Sequence, residues 1–392
     1  METKEKRVKD GYKEFFMRYA LSLAKLNAGK TAPNPWVGAI LVKGGKIVGK
    51  GFHKGAGFPH AEVEAINDAL KRGISPYGAE LFVSLQPCNT YGRTPPCTLQ
   101  IKNYGVSKVY FSLHDPNLDQ INYRADNLYI EGGILEDEAQ KIFLPYIVYV
   151  NEKRPYVIVK LALTLDGKIA DIEGNSKYLT SQKALQLVHI IRAHANFILV
   201  GKNTVEKDNP YLDTRNLPDS YLRKLKKVKM QVGGEYPNPV KVILGFPSHL
   251  DSLNILRGNN CVFFVEEKYR KFVSSEIFKS EIIKGKENIS FMFQKEKSVE
   301  EVLNFIFKMG GMVLLVEGGV EVVWDFLKHS FVDELWLFFA PKIFGGGKGF
   351  DFPDALKLGE HINPKIVQIK KISDDFLVRC SLRKDGKFWD FL

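Results

Sequence analysis

Apolar residues recur at helical spacing early in the chain. Phe15, Phe16, Tyr19, Ala20, Leu23 and Leu26 share one face of a segment 11–29, where Gly29 provides a stop. The pattern then changes to strands. Ala39 to Val42 and Ile47 to Phe52 flank Gly44-Gly45, which predicts a hairpin. From Pro59 the helical period returns, with Val63, Ile66 and Leu70 on one face and Gly73 at the end. Leu81 to Leu85 reads as a buried strand, Cys97 opens a short helix, and Lys108 to Ser112 is a further strand. This alternation predicts an α/β/α layered unit.

A polar patch, Asn151-Glu152-Lys153, precedes Arg154-Pro155-Tyr156 and the strongly apolar strand Val157 to Leu163. The boundary is therefore expected near 150, giving domains 1–150 and 151–392, since 392 residues exceed one ordinary core. In the second half the pattern predicts helices at 181–194, 299–309 and 320–328. Strands are expected at 197–200, near 240–245 and 261–265, and at 312–316, 333–340 and 376–382. That order implies an α/β domain on a mostly parallel sheet.

Composition narrows the class. Hydrophobic residues make up 45% and charged residues 26%, which suits a globular protein, and no apolar run approaches the roughly 20 residues of a membrane span. Residues 1–10 alternate in charge without an apolar signal core, so a cytoplasmic location is expected. The net charge of +11 suits either a nucleic acid or phosphate-bearing small ligands. The densest basic run, 223–229, lacks the interleaved aromatics that stack bases and reads as a solvated insertion. Four cysteines make no disulfide framework; Cys261 and Cys380, each alone in apolar surroundings, read as buried small hydrophobes.

The strongest chemistry lies between residues 60 and 97. His60, Cys88 and Cys97 supply three ligands suited to a tetrahedral zinc whose fourth position is left for water. Glu62 falls in the first turn of the helix after Pro59, where the helix dipole stabilises an ionised carboxylate. Held beside the activated water, it would take a proton and pass it on, as in zinc deaminases. Eight residues separate the two cysteines, against two in the usual deaminase pattern. A closed structural zinc site would need a fourth protein ligand; His53 is nearest and is expected on a strand pointing elsewhere. Asn34, between Pro33 and Pro35, either ends a strand or aims its amide at a ligand. No Gly-x-Gly-x-x-Gly follows a strand. Glu317-Gly318-Gly319, between a strand and an apolar helix, is either an ordinary turn or an anion site at a helix amino terminus.

Three segments carry a resemblance: Pro33-Asn34-Pro35-x-Val37-Gly38, His60-Ala61-Glu62-Val63, and Tyr91-Gly92-Arg93-Thr94-Pro95-Pro96-Cys97. Asp115-Pro116-Asn117, Arg154-Pro155-Tyr156, Leu165-Asp166-Gly167, Glu317-Gly318-Gly319 and Ala340-Pro341 extend it in order. The chain resembles the bacterial bifunctional riboflavin-biosynthesis deaminase/reductases over nearly its whole length, outside residues 1–10 and about 217–237. The resemblance implies a cytidine-deaminase-like α/β/α zinc domain followed by a dihydrofolate-reductase-like α/β domain that binds NADPH. It implies deamination of a diamino-pyrimidinone ribosyl 5'-phosphate, then reduction of the ribosyl side chain to ribityl.

Position by position, the resemblance implies zinc at His60, Cys88 and Cys97, and Glu62 as the catalytic proton carrier. NADPH contacts are implied at Ala162, Tyr178, Thr204, Asp208, Gly319, Val320, Glu321, Val322, Val323, Trp324 and Asp325. Substrate contacts are implied at Asn34, Arg93, Ser176, Arg192, Leu212, Arg215 and Glu317, with two guanidinium groups suited to clamping a phosphate. Arg192 also reads as a solvated helix charge, and Asp208-Asn209-Pro210 as a turn. Two features depart from the family: Thr90 stands where His is usual, and the segment after Asn117 is short. The rival reading is a nucleic-acid deaminase sharing the same zinc residues. The expected partner is a phosphorylated pyrimidine, without nucleic acid or membrane, in a homo-oligomer.

Overall fold

The computed structural model describes the chain except residues 1–3, 92–94, 119–127, 177–178, 224–237, 249, 251, 259, 281–287, 353–355, 358–360 and 392. Two compact units emerge. Residues Met1–Glu152 group with Trp389–Leu392, and the second unit takes most of Lys153–Phe388. A single boundary near 150 thus needs correcting at the tail, which packs with the first unit.

In the first unit, α1 (Lys4–Lys25) leads into β1 (Gly38–Lys43) and β2 (Lys46–Phe52). Gly44 and Gly45 both take positive φ, 57° and 72°, as a tight two-residue hairpin requires. Then come α2 (Ala61–Lys71), β3 (Glu80–Leu85), α3 (Cys97–Asn103), β4 (Lys108–Leu113), β5 (Tyr129–Glu131) and α4 (Glu136–Glu152). The sheet order is β2-β1-β3-β4-β5, antiparallel at β1 and parallel from β3 to β5. Ala61, Ala65, Ile66 and Ala69 of α2 and Ile101 of α3 share a core with Leu41, Leu81, Val83 and Val109. Two positions on the predicted apolar faces turn outward: Phe15 is 65% exposed and Leu70 41%. Small alanines take the inner face of α2 instead, because the helix lies almost on the strand beneath it.

Glycine makes that approach possible. A Cβ on Gly51 would lie 2.2 Å from the Ala61 carbonyl oxygen and 2.4 Å from the Ala65 nitrogen; one on Gly49 would lie 2.1 Å from the Ala65 oxygen. The helix that carries His60 and Glu62 is therefore seated by backbone-to-backbone contact.

The second unit holds β6 (Tyr156–Thr164), β7 (Lys168–Ala170), α5 (Gln182–His194), β8 (Phe197–Gly201), α6 (Lys202–Asp208), β9 (Val240–Leu244), β10 (Cys261–Glu266) and α7 (Arg270–Lys279). It continues through β11 (Ile289–Gln294), α8 (Val299–Lys308), β12 (Val313–Val316), α9 (Val320–Lys328), β13 (Glu334–Ala340), β14 (Lys348–Gly349), β15 (Lys365–Ile372) and β16 (Asp375–Ser381). The large sheet runs β11-β10-β9-β8-β12-β6-β13-β16-β15, with β7 and β14 pairing apart from it. Neighbours are parallel from β11 to β13, and β16 and β15 add antiparallel. Ser181 caps α5 by accepting from Ala184 N at 3.3 Å, and Ser298 caps α8 by accepting from Glu301 N at 3.2 Å. Cys261 and Cys380 are buried and form no disulfide, as their surroundings predict. Beyond residue 223 the basic run lies outside the described residues.

Replacing Gly51 with Ala should push α2 off β2. The expected result is a loss of about 1–3 kcal/mol of stability in the first unit together with less zinc retained at His60. Thermal melting and metal analysis check this, and an unchanged zinc content would contradict the seating role of Gly51.

Candidate active site

His60 is the residue before α2 and Cys97 the first residue of α3, while Cys88 follows the end of β3. Strand ends and helix starts therefore deliver all three. His60 Nδ1 lies 3.2 Å from Cys97 Sγ and 3.6 Å from Cys88 Sγ, and the three ligand atoms fall within 4.8 Å of one another. A tetrahedral zinc with bonds of about 2.0–2.3 Å spaces its ligands by roughly 3.5 Å, so the cluster fits that ion. Cys97 N donates to Cys88 Sγ at 3.4 Å, which ties the start of α3 to the end of β3 at the cluster. No fourth His, Cys, Asp or Glu joins the group among the described residues.

Glu62 lies in the first turn of α2 and is 3% exposed. Burial pushes its carboxyl up, which favours a group that takes and returns a proton. Beside His60 stands a residue whose direction the sequence misjudges. His53 follows β2 but does not point elsewhere: it is buried, and its ring packs edge-on against His60 with centroids 5.4 Å apart. Its Nδ1 faces the Pro59 carbonyl at 3.3 Å, and its Nε2 lies 3.1 Å from Asn34 Nδ2. Burial lowers its pKa to about 4, so it is neutral, with Nδ1–H donating to Pro59 and Nε2 accepting from the Asn34 amide. Asn34 is thereby aimed into the site. A lone His after a strand carries no sequence signal for this. Next to exposed Thr90, Asn89 Oδ1 is buried without a partner. Arg93 lies outside the described residues.

In the second unit a cavity of about 1650 Å³ opens along the carboxyl ends of the parallel strands, the edge where open α/β sheets bind ligands. Its volume exceeds the 300–1,000 Å³ usual for one small ligand, as a dinucleotide plus a sugar phosphate requires. Ala162, Ser176, Thr204, Asp208, Arg192, Leu212, Arg215, Glu317 and Gly319 all line it. Val320, Glu321 and Val322 line it as well, but three expected cofactor residues do not. Val323 is fully buried, Trp324 stacks on Phe352 at 4.6 Å, and Asp325 pairs with Lys297. One face of α9 meets the cavity and the other the core, so a run of seven consecutive residues cannot all reach a ligand. Tyr178 lies outside the described residues.

Glycine at the strand-to-helix corner suits a cofactor. A Cβ on Gly319 would meet only Thr204 Oγ1, at 3.8 Å, so the start of α9 stays open to a phosphate. Beside it the acid and bases form one unit. Arg192 Nε and Nη2 donate to Glu317 at 2.7 and 3.0 Å, and Lys160 Nζ donates to Glu317 at 3.4 Å. Burial alone would raise the Glu317 pKa, but Arg192 and Lys160 outweigh it and hold the carboxyl at about 2. Arg192 is thus neither a solvated helix charge nor an unoccupied phosphate clamp. Arg215 remains exposed, braced by Asp213 at 2.8 Å and stacked over Tyr211 at 4.2 Å. Lys160 is a site residue that periodicity missed; a charge inside the apolar run 157–163 was its signal. Ser176 Oγ donates to Asp208 at 3.1 Å, and Leu212 takes the left-handed φ of 52°, a strained backbone of the kind found at binding sites.

Comparison with known proteins agrees with this geometry. Residues 11–113 match the cytidine and deoxycytidylate deaminase zinc-binding region, and residues 155–378 match the RibD C-terminal domain. The riboflavin biosynthesis protein RibD of Aquifex aeolicus is 34% identical over 371 residues, 93% of this chain and 96% of that one. That of Bacillus amyloliquefaciens is 33% identical over 392 residues, 96% of this chain and 98% of its own length. A solved diaminohydroxyphosphoribosylaminopyrimidine deaminase/5-amino-6-(5-phosphoribosylamino)uracil reductase from Thermotoga maritima superposes with a TM-score of 0.80. It is 34% identical, and the match covers 95% of this chain and 99% of that one. This chain belongs to the RibD family: it is a bifunctional riboflavin-biosynthesis enzyme, a deaminase that uses zinc joined to a reductase that uses NADPH.

Proposed function

We propose that the first unit carries the deamination and the second the reduction, with the site residues acting as follows. The observation that carries the reading is the convergence of His60, Cys88 and Cys97 ligand atoms within 4.8 Å, beside buried Glu62. Zinc held by these three supplies the Lewis acidity that makes water nucleophilic at neutral pH. Glu62 takes the proton released as water adds to the amino-bearing carbon of the pyrimidine, and delivers it to the departing amine. Water and amine are exchanged for a carbonyl and ammonia. Asn34 and His53 hold the ring, Asn34 as the amide that meets it and neutral His53 as the acceptor that orients that amide.

In the second unit NADPH supplies the hydride that reduces the ribose C1. Glu317, kept ionised by Arg192 and Lys160, accepts hydrogen bonds from sugar hydroxyls. Lys160 provides the proton that the ring oxygen needs as the sugar opens. Arg215, the guanidinium with an exposed face, binds the phosphate. Thr204, Asp208 and Gly319 to Val322 hold the cofactor.

The natural partner is a small phosphorylated pyrimidine and not a nucleic acid. The four cysteines form no disulfide, which suits the reducing cytoplasm.

Glu62→Gln is expected to retain zinc while ammonia release falls by about 10²–10⁴-fold; rapid deamination by the variant would remove Glu62 from its role. Arg215→Ala should raise the KM of the reduction by roughly 10–100-fold, the cost of a charge-assisted hydrogen bond, and leave ammonia release unchanged. Loss of both activities would contradict separate sites. The third outcome concerns pH. Because the Glu317 pKa is depressed from 4.5 to about 2, the stability it contributes is complete above pH 4.5 and lost as pH falls through 2. The melting-temperature gap between the wild type and Glu317→Gln should therefore narrow across that window, and a constant gap would show that the carboxylate is not held by its partners.

A further inference from the structure

Helix α4 has a proline inside it, Pro145, and a proline has no amide hydrogen to give the carbonyl four residues back. Lys141 is that residue. Its carbonyl oxygen instead accepts from the backbone N–H of Asp390, at 3.1 Å. One residue on, the carbonyl of Ile142 receives two indole N–H groups, from Trp389 at 3.0 Å and Trp36 at 3.2 Å. Lys25 of α1 fixes the same segment by pairing with Asp390 at 2.7 Å. Both indoles are 0% exposed, with ring centroids 5.8 Å apart. Residues 389–391 follow the reductase strands in sequence, yet they complete the core of the first unit.

The contact bears on chemistry through Trp36. That residue lies two positions after Asn34, whose amide meets His53 beside His60. Trp389 fills the space next to Trp36, so its removal leaves a cavity the size of an indole beneath the segment that presents Asn34. Thr31 holds Asn34 only locally, through its hydroxyl on the Asn34 carbonyl at 2.7 Å.

We propose that Trp389, secured by Asp390, is a positioning residue of the deaminase site: it acts through Trp36 to hold Asn34 against the substrate. The inference rests on the reading of Asn34 as a substrate contact. It makes the deaminase half dependent on a segment more than 230 residues beyond its own last helix, which ends at Glu152.

The test uses the full-length, zinc-loaded protein. Ammonia release, zinc content and NADPH oxidation on the already deaminated substrate are measured for Trp389→Ala, Trp389→Phe, Asn34→Ala and the double variant Asn34→Ala/Trp389→Ala. Trp389→Ala should raise the KM for deamination on the order of tenfold, with kcat, zinc content and reduction unchanged. Trp389→Phe keeps most of the volume but loses the N–H donor, and should shift KM less in the same direction. It also preserves the test if the alanine variant fails to fold. In the Asn34→Ala background the Trp389 effect should vanish, because the group it positions is gone. A fall in active fraction and zinc at constant KM would overturn the proposal and leave Trp389 as ordinary core. A Trp389 effect that persists undiminished without Asn34 would overturn it as well. If Asn34→Ala alone leaves KM unchanged, the substrate role of Asn34 fails instead, and the positioning proposal falls with it.

Discussion

Parallel strands cannot be joined by tight turns, and this constraint organises both halves of the enzyme. Where a crossover returns through a helix, as at β2–α2–β3, β3–α3–β4 and β12–α9–β13, strand carboxyl ends and helix amino ends collect along one edge of the sheet. In the first unit that edge receives Cys88 from β3, Cys97 at the start of α3 and His60 at the start of α2. In the second it receives Glu317 and Gly319 from the β12–α9 corner, and Gly201 to Thr204 from the β8–α6 corner. Residues far apart in sequence become neighbours without a special fold for either reaction.

Electrostatics separates the two sites. Burial pushes Glu62 toward protonation against the pull of His60 and of its hydrogen bonds, which suits the proton carrier proposed for it. Glu317 is also buried, but a bidentate guanidinium and an ammonium reverse the balance and fix it as an anion. Its environment favours binding and orientation over acid catalysis. Breaking such a buried pair leaves an uncompensated charge, at a typical cost of about 3–5 kcal/mol, so Arg192 is tied to the integrity of the site as well as to its ligand.

Close backbone approach supplies the precision. Gly49 and Gly51 let α2 rest directly on β2, while Gly38 lets α1 approach β1, where a Cβ would lie 2.3 Å from the Ala20 oxygen. Two helices are thus seated on opposite faces of one sheet by main-chain contacts, which shift less than side-chain packing does. The proline in α4 is the exception, a break in a helix that indoles and a distant amide make good.

By itself the sequence determined the two-part α/β organisation, most strand positions, the convergence of His60, Cys88 and Cys97 into a group that could hold a metal, and the place of Glu62 in the first turn of α2. Those features are written in local periods and in residue chemistry that tolerates few substitutes. Helix α4 stayed hidden because Pro145 interrupts its pattern, and β15 because its lysines and isoleucines fit an exposed edge as well as a loop. Only the tertiary structure decided which way His53 points, that Arg192 is engaged by Glu317, that α9 turns Val323 and Trp324 into the core, and that residues 389–391 belong to the first unit. Each of these depends on partners distant in sequence. Spacing along the chain carries no record of which face a side chain will meet.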